Sequence, residues 1–498
     1  MRQASWRRHE FYLGLFMEQG KSYKDGKGKA QAGQTPARLK TEALYDGGLS
    51  RSSGEVSVIG MERRAGVIQL ELPLATLDKQ GRDKGESTKS VPITKQMVWE
   101  SYKKVRGNKG AAGIDQETIE MYEERLSDNL YILWNRMSSG CYFPPPVLEV
   151  EIPKDEGRKR KLGIPTVNDR VAQQVLKSYL EPRLEAEFSD YSYGYRPLKS
   201  AHQAVAEVRK NLRKYQWVID MDIAGFFDNM SHELLQKAIE RHVGEKWAKM
   251  YINRWLEAPI EDKLGNKRYR EGEGTPQGGV ISPLLANLFL HYAFDKWIGI
   301  IFPMLCFVRY ADDIIVHCNN QAEAEKVLKA IVERLGECRL QVNEKKTKIV
   351  YCKDANRKGR FKTVQFDFLG FSFQPRPTAT KEGKMFLGYD CSISRKSEKK
   401  ISDELRKSKF HLWTTTSITQ IAEKFNPKIR GWINYYGKFR KYNLMRIFKI
   451  FNWRLIKWAV YRYKRFKGSM HKAGRWVRQV AESYPNLFVH WQHGFKGA

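Results

Sequence analysis

Two adjacent carboxylates stand between short apolar runs in the second half of the chain. Asp312 and Asp313 complete the tetrapeptide YADD at 310–313, with CFVR at 306–309 before it and IIV at 314–316 after it. Two β-rich runs around a tight polar junction predict a hairpin with both carboxylates at its tip. Carboxylates this close repel each other unless divalent cations neutralise them. The pattern therefore predicts a divalent-metal site.

A third carboxylate ends an apolar segment upstream. The sequence WVIDMD at 217–222 predicts a strand that ends at Asp222, and Ser231 is the predicted N-cap of the helix that follows. A lone acid at such a strand end is more often a plain helix cap. With Asp312 and Asp313, however, it supplies three carboxylates for two Mg²⁺ ions about 3.5–4 Å apart, the arrangement that serves in-line phosphoryl transfer. The combination predicts a nucleotide polymerase.

Other segments that suit phosphate or nucleic acid lie around these carboxylates. The stretch EGTPQGGVISP at 273–283 opens a predicted helix, so its amides can approach a nucleotide or template, although alone it is an ordinary Gly-rich turn. Lys154 and Arg160 flank a basic turn, where they either neutralise a triphosphate or form a solvated hairpin. Lys346 precedes a predicted strand and either assists a leaving pyrophosphate or pairs with a surface acid.

The composition favours a nucleic-acid partner and a reducing compartment. The 498 residues carry 88 Lys and Arg against 56 Asp and Glu, a net charge of +32. Such an excess predicts an extended polyanionic partner, the alternative being a basic surface like that of ribosomal proteins. The six cysteines form no CxxC pair, which disfavours zinc sites and disulfide frameworks. No apolar stretch is long enough to span a bilayer and no secretory signal is evident, so we expect a soluble, cytoplasmic protein.

The chain divides by composition into three parts. Residues 1–90 are rich in Gly, Ser and Lys without a sustained period, which predicts a largely disordered extension, and Met61 could be an internal start site. From residue 394 the pattern is helical and basic, with no acid between 438 and 478. In the part between them, the spacing of apolar residues predicts helices at 117–137 and 167–188 and strands at 147–152 and 348–351.

Aromatic rings are interleaved with the cations of the basic C-terminal part. Leu444, Phe448, Phe451, Leu455 and Trp458 keep helical spacing. We therefore predict that this apolar stripe is core rather than a stacking platform, and that the cations bind RNA while most rings pack.

Seven segments in this order resemble the reverse transcriptases of group II introns. The last resembles the maturase, or X/thumb, region of that family, and the resemblance covers about 91–450, roughly three quarters of the chain. Retron-type and diversity-generating reverse transcriptases share the acidic hairpin, but the Pro-Gln-Gly-Gly loop and the maturase segment favour the intron family. The segments are IPKDEGRKRKLGIPTVNDR, DMDIAGFFDN, TPQGGVISPLLANLFL, YADD, LQVNEKKTK, FDFLGFSF and NPKIRGWINYYGKF.

The resemblance implies an α+β right-hand polymerase with a helical thumb. It places fingers and palm at 91–385, a maturase (X/thumb) domain at 386–450 and a basic, DNA-binding-like helical region at 451–498. Many family members continue into a His-Asn-His endonuclease domain, which is not recognisable after residue 493. We therefore expect priming from a pre-existing 3′ end, such as a nascent strand at a replication fork, without second-strand cleavage.

The resemblance also implies the residues of the site. Asp222, Asp312 and Asp313 would be catalytic, with the second hairpin aspartate contributing less direct coordination, and Phe227 would press on the sugar 2′ position to favour deoxynucleotides. The metal set would be Asp222, Ile223, Asp312 and Asp313; the substrate set Lys154, Arg160, Phe227, Gln277 and Lys346; the primer grip Phe368, Leu369, Gly370 and Phe371; and the RNA-binding set Arg430, Lys438, Arg440, Lys441, Arg454 and Lys457.

The implied function is RNA-directed DNA synthesis. The protein would copy intron RNA into DNA during retrohoming and bind that RNA to assist splicing, with two Mg²⁺ ions as cofactors. Its partners would be group II intron RNA, a DNA target or primer, and dNTPs, without a membrane. The alternatives are an RNA-binding splicing cofactor with a lapsed polymerase, against which the intact carboxylates argue, and a domesticated or defence-associated reverse transcriptase.

Overall fold

The computed structural model describes residues 91–153, 159–380 and 382–497, all within one compact unit. The predicted disordered extension 1–90, the alternative start at Met61 and the predicted phosphate contact Lys154 lie outside these residues.

The predicted mixture of helices and strands up to about residue 393, followed by helices, is confirmed. In chain order the first part contains α1 (Lys95–Asn108), α2 (Ile119–Glu124), α3 (Leu126–Ser138), β1 (Val147–Pro153), β2 (Lys159–Ile164), α4 (Val167–Glu187), α5 (Ala201–Asn211), β3 (Trp217–Asp222), α6 (His232–His242), α7 (Lys246–Glu257), β4 (Ile260–Glu261) and β5 (Lys267–Arg268). It continues with α8 (Ser282–Leu290), the π-helix His291–Asp295, α9 (Lys296–Ile301), β6 (Cys306–Tyr310), β7 (Asp313–Cys318), α10 (Gln321–Glu337), β8 (Lys348–Tyr351), β9 (Phe366–Phe368), β10 (Phe371–Ala379) and β11 (Met385–Ile393). The last part contains α11 (Arg395–Lys407), α12 (Ile418–Tyr436), α13 (Met445–Arg462), α14 (Met470–Ser483) and α15 (Val489–Gln492), with 3₁₀ turns at Phe410–Leu412, Lys441–Leu444 and Lys464–Phe466.

One predicted helix is interrupted. The helix predicted over 117–137 breaks at Arg125, whose ψ of 38° is not helical, so α2 ends and α3 begins on either side of it. The Asn129 side chain donates to the carbonyl of Tyr122 over 3.1 Å and so satisfies a group near the break. The apolar periodicity survives this break because both helices keep a buried face.

A four-stranded antiparallel sheet carries the predicted acidic segments. Its strand order is β6-β7-β3-β8, so β3 lies in the centre between the acidic hairpin and β8. The predicted hairpin is confirmed: Tyr310 pairs with Asp313, and Ala311 turns the chain with a φ of 55°. The predicted N-cap is also confirmed, since the Ser231 hydroxyl accepts from the Leu234 amide at the start of α6.

One hydrophobic core joins this sheet to the C-terminal helices. It runs from Val218 in β3 through Phe371 in β10 to Trp458 in α13 and Trp491 in α15. The predicted boundaries at 385/386 and 450/451 fall inside β11 and α13, so neither coincides with a gap in packing. The division into functional regions stays a prediction.

The apolar stripe predicted in the C-terminal part is core. Leu444, Phe448, Phe451, Leu455 and Trp458 are all buried, as expected. Not every ring of this part packs inside, however, because Tyr442, Trp453 and Tyr461 are exposed. In the ranges that the structure describes, no helix combines the length and apolarity needed to cross a bilayer.

Candidate active site

The carboxylate at the end of β3 faces a carboxylate of the hairpin. Asp222 is the direct cross-strand partner of Asp313 in the β3–β7 pair. Directly opposed residues hold their Cβ atoms about 4.5–5.5 Å apart, and like charges in that position destabilise a sheet. Asp312, next along the hairpin, is 3% exposed and Asp222 is 7% exposed. The fold therefore sets two of the three carboxylates that were predicted to be catalytic opposite each other, with Asp312 adjacent to one of them along the hairpin.

A lysine neutralises one of these carboxylates. The Nζ atom of Lys346 lies 2.6 Å from Asp222 Oδ2, with both side chains about one-tenth exposed, and the Asn343 amide donates to the same oxygen over 3.2 Å. Lys346 lies before β8, as predicted. Of the two interpretations of its turn, the pairing with an acid is what the structure shows, although that acid is part of the candidate site rather than the surface.

The donor set fits a divalent cation. It offers carboxylate oxygens, which Mg²⁺ prefers, at a place where opposed negative charges need compensation. Among residues 91–153, 159–380 and 382–497, no three His, Cys, Asp or Glu side chains are already gathered around one point. Here the Lys346 ammonium supplies the compensating charge. The assignment of Asp222, Asp312 and Asp313 as ligands of that cation stays a prediction.

The backbone of Ile223 is directed towards the hairpin. Asn343 donates its amide to the Asp222 carbonyl, and Ala224 donates to Gln341, so Ile223 forms an antiparallel bridge with Val342. In such a bridge the central residue turns its own N–H and C=O to the opposite side. Because the hydrocarbon side chain of Ile223 has no donor atom, the backbone carbonyl is the group of this residue that suits a metal.

A buried arginine fixes the tip of the hairpin, and no sequence pattern indicates its partner. The Arg309 guanidinium donates to both carboxylate oxygens of Asp295, over 2.7 and 2.5 Å, and to the carbonyl of Ala311 over 3.3 Å. The nitrogen that donates to Ala311 also donates to Asn287 Oδ1 in α8 over 3.1 Å, and the Asn287 amide in turn donates to the Gly194 carbonyl. Both ions of the pair are fully buried.

Gly194 allows this close approach to the hairpin. A Cβ atom at Gly194 would lie 2.4 Å from the amide nitrogen of Ala311, which is closer than any real contact. The loop around Gly194 therefore lies directly on the turn that carries Asp312. Any larger residue at this position would displace one of the two backbones.

The Gly-rich loop is held from α4 by a glutamine. Gln173 Oε1 accepts from the amides of Val280, over 2.7 Å, and Ile281, over 3.2 Å, while its Nε2 donates to Asp169. Asp169 is fully buried, which raises its pKa, but hydrogen bonds from Trp255, Tyr142 and Gln173 counter the rise. This chain of contacts from α4 ties the loop to a rigid helix. Sequence reasoning missed Gln173 because glutamine in a helix carries no signal of its own.

The loop also contacts two predicted substrate residues. Arg160 Nε donates to Gln277 Oε1 over 2.7 Å, and Gln277 Nε2 donates to Asp228 over 2.8 Å. Gly278 has a φ of 133°, and a Cβ there would lie 2.3 Å from the Gly163 carbonyl, so β2 and the loop touch through two glycines. Phe227, one residue before Asp228, is 6% exposed and its carbonyl accepts from Thr275 in the loop.

The predicted primer grip is a tight turn in the same cleft. Leu369 and Gly370 join β9 to β10 with φ angles of 49° and 80°, as in a two-residue turn. Six predicted site residues line this cleft: Asp222, Asp313, Lys346, Phe368, Leu369 and Gly370. Five further residues that were not predicted for the site also line it: Asp220, Met221, Asp367, Ser394 and Lys396.

The predicted RNA-binding residues lie apart from this cleft and differ in their surroundings. Arg430 and Lys438 are exposed. Arg440 instead is engaged inside the protein, where it donates to Asp390 over 2.9 Å and to Thr378 over 2.6 Å. The remaining contacts are Lys441 with His493 (2.8 Å), Arg454 with His411 (3.1 Å) and Lys457 over the Trp453 ring (3.9 Å to the centroid). Their affinity for RNA stays a prediction.

Comparisons with known proteins agree with this geometry. Residues 152–373 match the family profile of reverse transcriptases (RNA-dependent DNA polymerases), and residues 398–476 match the group II intron, maturase-specific domain. Protein YkfC of Escherichia coli (strain K12) is 32% identical over 289 residues, which cover 50% of this chain and 74% of YkfC. The group II intron-encoded protein LtrA of Lactococcus lactis is 34% identical over 206 residues, 41% of this chain, but the match spans only 33% of LtrA.

Solved structures resemble the chain more distantly. A telomerase from Candida albicans matches with a TM-score of 0.39 and 13% identity, covering 76% of this chain and 68% of that one. A likeness at this level supports no conclusion about function.

Proposed function

The chain belongs to the family of group II intron reverse transcriptases with a maturase domain, and from this premise we propose that it copies intron RNA into DNA during retrohoming and assists splicing of that RNA. The observation that carries the proposal is the cross-strand opposition of Asp222 and Asp313. A purely RNA-binding protein has no use for opposed, nearly buried carboxylates, which cost stability when no cation compensates them.

The polymerase site would work through groups that the fold holds in fixed positions. Asp222, Asp312, Asp313 and the Ile223 carbonyl would hold two Mg²⁺ ions. When bound, these ions supply the charge neutralisation that in-line attack of the primer 3′-OH on the α-phosphate of a dNTP requires. The turn at Leu369 and Gly370 would hold the primer end, since it lines the same cleft as Asp222 and Asp313.

Lys346 would change partner during the cycle. Its ammonium rests on Asp222 in the present structure. With Asp222 holding a cation, the Nζ atom would be available to donate a proton to the leaving pyrophosphate, which is the other role predicted for this lysine. On the other side of the nucleotide, Arg160 would contact the phosphates and Gln277 would lie along the nascent pair.

The maturase activity would rest on the helical C-terminal part. Residues 398–476 match the maturase-specific domain, and residues 438–478 contain cations without a single acid. Such one-sided charge suits a phosphate backbone rather than a solvated protein surface. Binding to structured intron RNA should therefore weaken steeply with salt.

Primer extension tests the proposal. An RNA template, an annealed DNA primer, dNTPs and Mg²⁺ are given to the wild type, to Asp312→Asn and to Asp128→Asn, which removes an exposed acid from α3. We expect product from the wild type and Asp128→Asn only, with RNA affinity equal in all three. No product from the wild type, with tight RNA binding retained, would instead make the protein a splicing cofactor.

A further inference from the structure

The outer face of α13 carries rings and cations in alternation. Arg446, Lys449, Trp453, Lys457 and Tyr461 all fall within one arc of this helix at 100° per residue, opposite the buried side. Between the first and last of them the helix rises about 22 Å. Trp453 is 47% and Tyr461 56% exposed, although Phe448, Phe451 and Trp458 of the same helix are buried. Two large exposed rings on a helix that buries its other large rings indicate a binding surface.

The cations around these rings define the chemistry of that partner. The Lys457 ammonium lies 3.9 Å from the centre of the Trp453 ring. His411, from the neighbouring 3₁₀ turn, contacts Arg454 and lies 6.1 Å from the Tyr461 ring. Since no acid occurs between 438 and 478, the face can pair with a polyanion but offers nothing to a basic partner. A partner that matches both features has phosphates and exposed flat bases.

We propose that the outer face of α13 binds a single-stranded segment of RNA, with unpaired bases stacked on Trp453 and Tyr461 and phosphates on the adjacent cations. Double-stranded RNA presents its phosphates but keeps its bases stacked internally, so it would use the cations and not the rings. Stacking on aromatic side chains is the way in which proteins hold unpaired bases without reading their sequence. The inference rests on the proposed function for the choice of RNA as the partner.

The test compares ring variants on two forms of RNA. Full-length wild type, Trp453→Ala, Tyr461→Ala and the double variant are titrated with an unstructured oligouridylate and with an RNA duplex of equal length. The control is Tyr484→Ala, a still more exposed tyrosine just beyond the end of α14. We expect each ring variant to lose affinity for oligouridylate about tenfold, with little change on the duplex and none for the control.

Salt dependence separates the rings from the cations. Because the rings carry no charge, the ring variants should keep the slope of log K against log salt, whereas Lys449→Ala should lower it by about 0.7 on a single strand. An equal loss on duplex RNA, or a loss no greater than that of Tyr484→Ala, would overturn the proposal. Tighter, ring-dependent binding of oligothymidylate than of oligouridylate would also overturn it, in favour of single-stranded DNA.

Failure of this inference is distinguishable from failure of the proposed function. If the wild type incorporates dNTPs on an RNA template but the rings prove irrelevant, only the stacking surface is wrong. If the wild type incorporates nothing, the polymerase proposal falls while the titrations still report on α13. Thermal unfolding of each variant shows that its fold is intact, as expected for substitutions of exposed rings.

Discussion

The ammonium of Lys346 rests on Asp222, 2.6 Å from one carboxylate oxygen, at the place where Asp222 faces Asp313 across the sheet. Lysine and metal ion would therefore compete for the same carboxylate. In the structure the lysine offsets the repulsion between the two aspartates, and with a metal bound it would be available for the phosphates.

Replacing this lysine should make folding depend on the metal. Lys346→Met removes the ammonium from Asp222 while Asp222 stays opposed to Asp313, so we expect a loss of about 2–3 kcal/mol in unfolding free energy in EDTA, somewhat less than for a fully buried pair. Mg²⁺ should restore most of it, since the cation takes over the neutralisation. Thermal unfolding with and without Mg²⁺ measures both values; an equal loss under the two conditions would contradict the competition.

Phe227 should control the choice of sugar. Phe227→Val shortens a nearly buried ring at the position predicted to press on the 2′ carbon, so ribonucleotide incorporation should rise about tenfold or more relative to dNTPs. Single-nucleotide extension with matched dNTP and NTP measures the ratio. Phe226→Leu is the control, because Phe226 packs edge-on against Phe227 and is buried, but carries no predicted substrate contact. Unchanged selectivity in Phe227→Val would rule out the steric role.

Gln173 should affect nucleotide binding without touching the nucleotide. Gln173→Met removes the acceptor of two loop amides and a donor to Asp169, which costs about 2 kcal/mol in unfolding free energy. Because the loop carries Gln277, we also expect the KM for dNTP to rise several-fold more than kcat falls. Gln174→Met is the matched control on the same helix, where the amide contacts Ser178 and not the loop. Equal changes of KM and kcat in the two variants would mean that Gln173 has only a structural role.

Two buried histidines should make the protein less stable in mild acid. Burial lowers the pKa of His317 to about 4 and that of His490 to about 3. In the unfolded chain both histidines bind a proton below pH about 6.5, whereas in the folded protein they stay neutral. The unfolding free energy therefore falls as the pH drops from 6.5 towards 4. The expected loss is about 1–2 kcal/mol for each histidine by pH 5.

Urea unfolding between pH 7 and pH 5 measures this slope. His317→Gln removes one titrating group and should reduce the proton uptake on unfolding by about one in the lower half of that range. An unchanged slope in this variant would mean that carboxylates alone cause the acid sensitivity.

Local patterns in the sequence were reliable where one element determined the outcome. The family and its α+β fold are confirmed, and so are the hairpin at Asp312, the strand ending at Asp222 and the cap at Ser231, since strand alternation, turn chemistry and capping act over a few residues. The site assignments beyond this stay predictions, although Asp222, Asp313, Lys346 and the turn at Phe368–Gly370 line one cleft.

Contacts between distant elements were not predictable. Gln173 and Val280 are 107 residues apart in the sequence. Asp295, the partner of Arg309, lies in a π-helix that no sequence pattern indicated. Likewise, the periodicity of α13 correctly predicted its buried stripe but could not show which remaining rings, Trp453 and Tyr461, would stay in water. That depends on which helices pack against α13 and from which side.

Because the core is continuous from Val218 to Trp491, the two proposed activities depend on the folding of one and the same unit. A domain with its own core can be lost or exchanged while its neighbour goes on folding. Here a packing defect in the helices around Trp458 would disturb the same apolar interior that supports the sheet with Asp222. We therefore expect that deleting these helices would abolish the polymerase together with RNA binding. In related proteins, the loss of one activity alone should arise from point substitutions at the surface or in the cleft.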